Sequence, residues 1–473
     1  MDSIKIEDVI SVIKLGIIHF YVRNNGHLYN KSQTPIVIIS RLIFFMKASK
    51  FLFVLLYKKF LSMRVILGLL VLVPMVSFSQ SSSSKTLTTQ QLLGSINPIT
   101  TAVPFLIIGP DSKQGGMGEV GAATDPDVSS IHWNTAKLAM SDKDMSFGIS
   151  YSPWLRNLVP DISLSYVSGY KRINKMSVVG MSLRYFSLGN ITFTDIMGNT
   201  VGQFKPNEFA IDAAYAQKLS PHFSMGMAFR YVHSNLTGGY SVNGQPTKVG
   251  RTVVVDLSMY YKSKEFDLGE KKNIATAGLS ITNLGAKISY GTGTRNFIPT
   301  NLRLGGGLKT LLDDYNTIGF YLDFNKLLVP TPPVYLKKAN GEGDSVDAST
   351  GKKIILAGKD PDVPVIQGVL QSFNDAPGGF QEELREINTS AGFEYWYSNM
   401  FAFRMGYFYE HKTKGGRQFL TFGFGIRYSV FGLDASYLIP TVANRNHPLQ
   451  NTWRFTLSFD FDAFKKQQES VDN

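Results

Sequence analysis

Residues 223–231 read FSMGMAFRY, and residues 453–461 read WRFTLSFDF. In both stretches a large apolar residue stands at every second position, with small or charged residues between. Successive side chains of a β-strand point to opposite faces, so this period of two predicts strands with one apolar and one polar face. A soluble sandwich would carry far more Lys and Glu on its polar face, whereas small polar residues are typical of a barrel lumen.

The same alternation recurs in fourteen segments along the chain. The predicted strands are residues 145–154, 161–170, 176–188, 207–218, 222–235, 251–262, 273–283, 300–310, 316–326, 389–397, 400–411, 417–428, 432–439 and 452–462. The apolar set Ile162, Leu164 and Tyr166 is assigned the same parity as the others. An open sheet edge in hydrocarbon leaves N–H and C=O groups unpaired, which favours closure. We therefore predict an all-β fold, a 14-stranded antiparallel transmembrane β-barrel of the outer membrane over residues 145–462.

The connections between these segments alternate in length. Those after the even-numbered strands are mostly tight, and most of those after the odd-numbered strands are long, the longest being residues 327–388. Outer-membrane barrels have short periplasmic turns and long external loops, so this pattern predicts a periplasmic N-terminus and an external loop 327–388. Residues 463–473 form a C-terminal tail.

The N-terminal part of the chain has the pattern of a secretory signal. Met63-Arg64 precedes an apolar run from Val65 to Val73, and Ser77 and Ser79 are the small residues before a cut at Gln80. Residues 63–79 are therefore interpreted as a signal peptide. Residues 1–62 are interpreted as a mis-called upstream extension, with translation starting at Met46 or Met63; a genuine extension is the alternative.

Composition narrows the possible functions. Residues 1–79 hold ten Lys/Arg and three Asp/Glu, so +7 of the net charge of +12 lies there and +5 remains elsewhere. No dense basic run with interleaved aromatic residues is left, which disfavours nucleic-acid binding. The chain has no cysteine, its histidines lack ligand spacing, and no Gly-x-Ser-x-Gly motif occurs. We expect no metal, no cofactor and no enzymatic activity.

Residues 80–144 precede the barrel and are interpreted as a periplasmic and hatch segment that threads the lumen. Glycine would let its backbone approach the wall closely. A dinucleotide-binding reading of Gly116–Gly121 is disfavoured because no βαβ unit follows. The candidate hatch residues are Gly115, Gly116, Gly118, Gly121, Trp133, Asn134 and Lys137.

Two blocks carry a family resemblance. Phe105, Gly109-Pro110-Asp111-Ser112, Gly115–Gly118 and His132-Trp133-Asn134-Thr135-Ala136-Lys137 form the first, and Gln371–Asn388 with Glu394–Tyr397 and Arg404–Tyr409 forms the second. Together they resemble the PorV family of the type IX secretion system, which is related to FadL-type channels. That family usually has Asn-Pro-Ala where this chain has Asn134-Thr135-Ala136.

The resemblance implies a non-enzymatic outer-membrane protein of a Gram-negative, Bacteroidota-like bacterium. Such a barrel docks at the large translocon, binds the C-terminal signal domain of secreted cargo, and carries it to a sortase complex that attaches cargo to lipopolysaccharide. Its contact surfaces are expected in residues 188–206, 284–299 and 327–388. A FadL-like transporter of hydrophobic small molecules is the leading alternative, and an enzyme acting on lipopolysaccharide is a third.

The loop 327–388 ends in apolar residues and a short helical pattern after Pro377. Phe380, Leu384 and Ile387 fall on one face of that helix, which either folds back onto the barrel mouth or docks a partner. The candidate partner- and cargo-contact residues are Val363, Val365, Ile366, Val369, Leu370, Phe373, Phe380, Leu384 and Ile387.

Charged residues also fall at lumen positions of the predicted strands. They are Arg184, Arg230, Arg303, Arg404, Arg427 and Arg454, with Asp212, Asp256, Asp323, Glu394 and Asp434. Such charges can tune a pore or bind a ligand. Because both signs are interspersed, we favour a neutralised network that holds the hatch.

Overall fold

The computed structural model describes residues 89–155, 159, 161–194, 197–241, 246–291, 293–338, 343–441 and 449–461. The interpretations of residues 1–62, 63–79 and 463–473 fall outside these residues. The described residues all belong to one compact unit, Lys85–Asn473.

Fourteen antiparallel strands form one sheet that closes on itself. They are β1 (Met145–Pro153), β2 (Ile162–Arg172), β3 (Ser177–Leu188), β4 (Asn207–Lys218), β5 (Phe223–Asn235), β6 (Gly250–Lys262), β7 (Lys271–Gly285), β8 (Asn301–Leu311), β9 (Asn316–Leu327), β10 (Asn388–Tyr397), β11 (Phe401–Tyr409), β12 (Gln418–Tyr428), β13 (Phe431–Pro440) and β14 (Thr452–Asp460). The last strand pairs with the first, from Ser146 with Asp460 to Tyr151 with Phe455. The predicted 14-stranded barrel is confirmed, with every predicted strand end within two residues of the observed one.

The shorter elements are not part of the barrel wall. Within the described residues, the helices are α1 (Thr89–Gly94), α2 (Ser112–Gly115), α3 (Ser130–Trp133), α4 (Val365–Gln371) and α5 (Phe380–Arg385), with 3-10 turns at Pro104–Ile107 and Thr135–Met140. Short strand pairs join Ile191–Thr194 to Thr200–Phe204, Ile288–Ser289 to Arg295–Asn296, and Val334–Tyr335 to Ile355–Ala357, while Phe266–Leu268 pairs with β7. No helix in the described part of the chain is long and apolar enough to cross a membrane.

The strands alternate between an exposed apolar face and a buried polar face. On β1, Phe147, Ile149 and Tyr151 are exposed, whereas Ser146 and Ser150 between them are buried. The exposed set faces outward from the barrel, where hydrocarbon rather than water is its favourable surrounding. The small inward residues leave room in the lumen for another part of the chain.

Strand β2 departs from this pattern and corrects the sequence assignment. Leu164 and Tyr166 are completely buried and point into the lumen, because they pair across the sheet with the inward Ser152 and Ser150. Leu164 packs in a core cluster with Phe105 and Leu106, which precede the barrel in sequence. The apolar residues of β2 therefore pack against the N-terminal segment inside the barrel and do not face lipid.

The two ends of the barrel differ. One end carries the connections 154–161, 189–206, 236–249, 286–300, 328–387, 410–417 and 441–451, and is called the long-loop end. The other carries the turns 173–176, 219–222, 263–270, 312–315, 398–400 and 429–430, and is called the short-turn end.

The segment before β1 passes through the lumen from the long-loop end. The amide of Asn97 donates to Thr413 O at 2.8 Å, and that of Ala102 donates to Phe297 O at 2.9 Å. At the short-turn end, Arg172 donates to Ser141 O, and Lys143 pairs with Asp460. Residues 80–144 were predicted to be a periplasmic and hatch segment. Within it, the residues around Asn97 lie among the long loops, because the hatch crosses the whole lumen to reach β1 at the short-turn end.

Candidate functional site

The hatch is built around a buried aspartate. Asp111 precedes α2, and its carboxylate accepts hydrogen bonds from the amide of Gln114 at 3.0 Å and from Trp133 Nε1 at 2.6 Å. The first bond caps the helix N-terminus, and the second joins the two ends of the glycine-rich stretch. Asp111 and Trp133 are both essentially inaccessible to solvent.

The predicted hatch glycines lie where the backbone touches its surroundings. Gly118 has a φ of +69°, and a Cβ there would lie 2.6 Å from Tyr407 N of the wall. A Cβ on Gly121 would overlap the Trp133 ring, while Gly115 lies against Arg454 and Gly116 against Gly423. Close contact with the wall thus explains the glycine-rich sequence of the hatch.

Asn134 and Lys137 join the two halves of the hatch. Asn134 Nδ2 donates to Ala122 O and to Met259 O of the wall, both at 2.9 Å. Lys137 Nζ donates to Gly121 O and Thr124 Oγ1, also both at 2.9 Å, and its side chain is completely buried. A buried ammonium group needs such partners, because an unpaired charge in the interior is strongly unfavourable.

Charged residues of the wall bind the hatch backbone and side chains. Asp323 accepts from the amides of Gly121 and Ala122 at 2.7 and 2.9 Å. Arg184 donates to Leu106 O at 2.6 Å and contacts His132 Nδ1 at 2.5 Å. These wall residues were predicted from the sequence to face the lumen, and the structure brings them onto the hatch.

Two further arginines reach the hatch by other contacts. Arg454 Nη2 lies 2.6 Å from Glu119 Oε1, and the Arg303 guanidinium stacks 4.4 Å from the centroid of the Trp133 ring. The indole face attracts a cation, so the second contact is favourable as well.

The remaining predicted lumen charges pair within the wall. Arg230 lies 2.5 Å from Asp212 and 2.8 Å from Asp256. Arg404 lies 2.8 Å from Glu394 and 2.7 Å from Asp434, and Arg427 also pairs with Asp434, at 2.7 Å. The neutralised network that was favoured over a charged pore is therefore the arrangement observed.

The helix α5 lies on the barrel rim with its acidic face inward. Lys326 Nζ lies 2.9 Å from Glu383 and 2.6 Å from Glu386, and Lys414 Nζ lies 2.5 Å from Glu382 and 2.9 Å from Glu386. All five side chains are nearly buried. We call these five residues the rim clamp, since they tie α5 to β9 and to the 410–417 turn.

The rim clamp changes the expected role of the apolar face of α5. Phe380 is 70% exposed and Leu384 is 52% exposed, while Ile387 is half-buried. Folding of Phe380 and Leu384 back onto the barrel mouth, one of the two sequence alternatives, is therefore not observed. The carboxylates occupy that inward position because the two lysines of the rim offer them ion pairs.

The other candidate contact residues divide into two groups. Ile366 and Leu370 on α4 and Phe373 just beyond it are 62%, 68% and 49% exposed. Val363, Val365 and Val369 are half-buried. We call the exposed set Ile366, Leu370, Phe373, Phe380 and Leu384 the apolar rim surface.

A cavity of about 1300 Å³ opens at the long-loop end. Its wall includes Pro104, Phe186, Leu188 and Val365, together with Glu208 of β4. Glu208 was not among the lumen charges predicted from the sequence, although it lies four residues before Asp212 and therefore shares its inward parity. A polar cavity of about 790 Å³ lies at the short-turn end, lined by Asp127, Lys309 and Asp460 among others.

This chain is similar to several solved structures and to one protein family. Solved structures that align with this chain include the toluene transporter TbuX of Ralstonia pickettii (11% identity, 74% of this chain and 97% of that chain, TM-score 0.38) and the toluene transporter TodX of Pseudomonas putida (10%, 77% and 98%, 0.38). A FadL homologue of Pseudomonas aeruginosa aligns with 11% identity over 78% of this chain and 100% of that chain, at a TM-score of 0.36. Similarity this low carries no argument about what this chain binds. A comparison with curated proteins gives no match.

The family comparison is more informative. The family described as type IX secretion system protein PorV matches residues 92–334, just over half of the chain. The matched region contains the hatch and β1–β9. Most of the connection 328–387, including α4 and α5, lies beyond it. With its closed barrel and its matched hatch, this chain belongs to the PorV family of outer-membrane proteins of the type IX secretion system.

Proposed function

We propose that this chain binds the C-terminal signal domain of secreted cargo at the type IX translocon and carries the cargo to the sortase and attachment complex. There the cargo is joined to lipopolysaccharide, and the barrel itself performs no chemistry. The long loops face the cell exterior and the short turns face the periplasm of a Bacteroidota-like bacterium.

The apolar rim surface is the observation that carries this proposal. Five large apolar side chains stand exposed on and beside two short helices. Apolar groups that remain exposed on an otherwise ordered loop favour a protein contact. The rim clamp supports the same interpretation, because a pre-ordered helix loses little conformational entropy when a partner binds.

A FadL-like transporter of hydrophobic small molecules is the second candidate. The cavity at the long-loop end favours it, since apolar residues form much of its wall. Transport also requires a path through the lumen. The hatch blocks such a path where its residues are tightly packed. Its residues Met117, Ala122, Ala123 and Trp133 are completely or almost completely buried, so they leave no open space around them.

Replacing the exposed aromatic and aliphatic groups of α5 tests the proposal. In a Phe380→Ser/Leu384→Ser chain, we expect unprocessed cargo to accumulate in the periplasm. Recovery of cargo and translocon with the tagged barrel from mild detergent should fall on the order of tenfold, because central apolar residues dominate interface energies. Quantitative mass spectrometry of the purified material measures both.

The matched control is Val346→Ser, which removes a half-exposed apolar side chain of the same connection away from α4 and α5. Its cargo recovery should equal that of the wild type. Normal secretion by the double variant, or a wild-type barrel that co-purifies with fatty acid and no protein, would reject the proposal.

A further inference from the structure

The cavity at the long-loop end contains one carboxylate in apolar surroundings. Glu208 lines the cavity and is only 2% exposed. Its cross-strand neighbour on β3 is Phe186, and Leu188, Leu236 and Pro104 line the same space. An ionised carboxylate in such a place is unfavourable unless a donor or a cation reaches it.

The partners of Glu208 do not neutralise it. Ser234 Oγ donates to Glu208 Oε1 at 2.6 Å, and the same hydroxyl lies 2.9 Å from the Tyr290 hydroxyl. Among the residues that the structure describes, no ion pair includes Glu208. A neutral hydroxyl supplies no counter-charge, so the carboxyl group is left to pair with a positively charged ligand group.

The other charged residues that line the cavity are Lys287, Arg295 and Asp362. Lys287 Nζ lies 3.3 Å from Asp362 and 4.3 Å from the centre of the Phe297 ring. Arg295 is exposed on a short strand of the 286–300 connection. The most buried ionisable group of the cavity is therefore the Glu208 carboxyl group, and its surroundings suit a cation on an apolar stem.

The cavity continues onto the apolar rim surface. Val363, Pro364 and Val365 line the cavity, and Ile366 and Leu370 of the same helix are exposed directly beyond them. A ligand that fills the cavity and also covers α4 must be extended. A stretch of polypeptide satisfies this requirement, whereas a small amine would occupy only the part near Glu208.

We propose that this cavity binds a lysine or arginine side chain of an exported polypeptide. The ammonium or guanidinium group pairs with Glu208, the aliphatic stem lies along Phe186 and Pro104, and apolar neighbours of the cationic residue pack on Val365 and α4. The inference deepens the proposed function and rests on it, because it gives the chemistry by which cargo is recognised.

Peptide binding to the full-length barrel in phospholipid nanodiscs tests the inference. The probes are fluorescein-labelled, C-terminally amidated Ala-Val-Lys-Val-Ala and the same peptide with norleucine, which lacks only the charged amine. Fluorescence anisotropy should show the lysine peptide binding about tenfold more tightly, as expected for a charge-assisted hydrogen bond. In Glu208→Gln this preference should disappear.

Glu265→Gln is the matched control, since Glu265 is exposed on the 263–270 turn at the opposite end. It should retain the lysine preference, and heat-modifiable mobility in gel electrophoresis confirms that both variants are folded. Equal binding of the two peptides to the wild type would overturn the inference. So would an unchanged preference in Glu208→Gln, or binding of n-octylamine with no binding of either peptide.

The two proposals fail in different ways. If cargo recovery still depends on Phe380 and Leu384 while the peptides bind equally, only the role of Glu208 is wrong. If cargo recovery is independent of the apolar rim surface, the proposed function itself is wrong.

Discussion

Single side chains of the wall hold the hatch by its backbone. Asp323 binds two successive hatch amides, and Arg184 binds the carbonyl oxygen of Leu106. Each bond satisfies a buried backbone group that has no partner in a regular strand or helix. The lumen charges therefore contribute to the position of the hatch, and they do so without leaving an open charged pore.

Gly118 lies so close to the barrel wall that an added side chain should destabilise the protein. Gly118→Ala should lower the free energy of unfolding by roughly 3 kcal/mol, because a left-handed backbone strain adds to a steric overlap with Tyr407. Urea titration of the barrel in lipid vesicles measures the change. Gly269→Ala is the control, because Gly269 has the same φ of +69° but no atom within 4 Å of the added Cβ. Equal losses in the two variants would contradict the proposed contact.

At the scale of an element, α5 is amphipathic with its acidic face buried. Its carboxylates meet Lys326 of β9 and Lys414 of the 410–417 turn, and its apolar side chains remain exposed. Ion pairs rather than apolar packing therefore determine the rotation of this helix. The same clamp leaves Phe380 and Leu384 exposed, where the proposed partner would contact them.

Removal of one lysine should release α5. In Lys326→Met, the carboxylates of Glu383 and Glu386 lose a buried partner, and loss of one member of such a pair costs about 3–5 kcal/mol. We expect protease cleavage within residues 374–387, identified by mass spectrometry, while the barrel stays heat-modifiable. Lys337→Met, which breaks the exposed pair with Asp344, is the control and should leave that region protected. Protection of residues 374–387 in Lys326→Met would show that the clamp does not hold the helix.

The clamp should also respond to pH through Asp375. Burial, with a smaller effect of Glu383 and Glu386, raises the pKa of Asp375 to about 6. Burial also acts to raise the pKa of Glu386, but Lys326 and Lys414 outweigh it and lower that pKa below its usual 4.5. The Asp375 carboxyl group therefore titrates near pH 6. Because the folded segment holds a proton that the opened segment releases, its stability falls as pH rises through about 6.

Hydrogen exchange of the amides in residues 374–387, corrected for the intrinsic rate, measures this dependence. Protection should increase from pH 7 to pH 5, by at most about tenfold per pH unit. Asp375→Asn should show no such increase. A rise in protection that persists in Asp375→Asn would assign the effect to another group.

At the scale of the whole molecule, the chain enters the barrel from the long-loop end. Residues 93–103 contact the long loops, the hatch then crosses the lumen, and β1 begins at the short-turn end. In the proposed orientation, with the long loops outside, residues 93–103 lie on the cell-surface side of the barrel. They contribute to the same face as the apolar rim surface, since Arg385 of α5 donates to Leu93 O at 2.5 Å.

Cysteine labelling of intact cells tests this topology. The sequence has no cysteine, so each introduced thiol is unique. A membrane-impermeant maleimide should label Ser349→Cys in the long connection and Ser95→Cys before the hatch. It should label Asp314→Cys in a short turn only after the outer membrane is permeabilised. Labelling of Asp314→Cys alone in intact cells would mean the opposite orientation.

The sequence alone was sufficient to predict the strands and most of their faces. Outward positions must be apolar and lumen positions small or polar, and this condition acts on each residue locally. For that reason all fourteen strands, the lumen charges and the glycine-rich hatch could be predicted without coordinates. The residue pattern after Pro377 also predicted the short helix at the end of the long connection.

The neighbours of those side chains depend on contacts between residues that are far apart in the sequence. The reversed face of β2 depends on Phe105 and Leu106, and the buried face of α5 depends on Lys326 and Lys414, all of them distant in sequence. The cavity around Glu208 likewise forms where β3, β4 and several loops converge. Periodicity shows that two faces of an element differ. It does not show which face is buried when an ion pair or a hatch, rather than lipid or water, lies opposite.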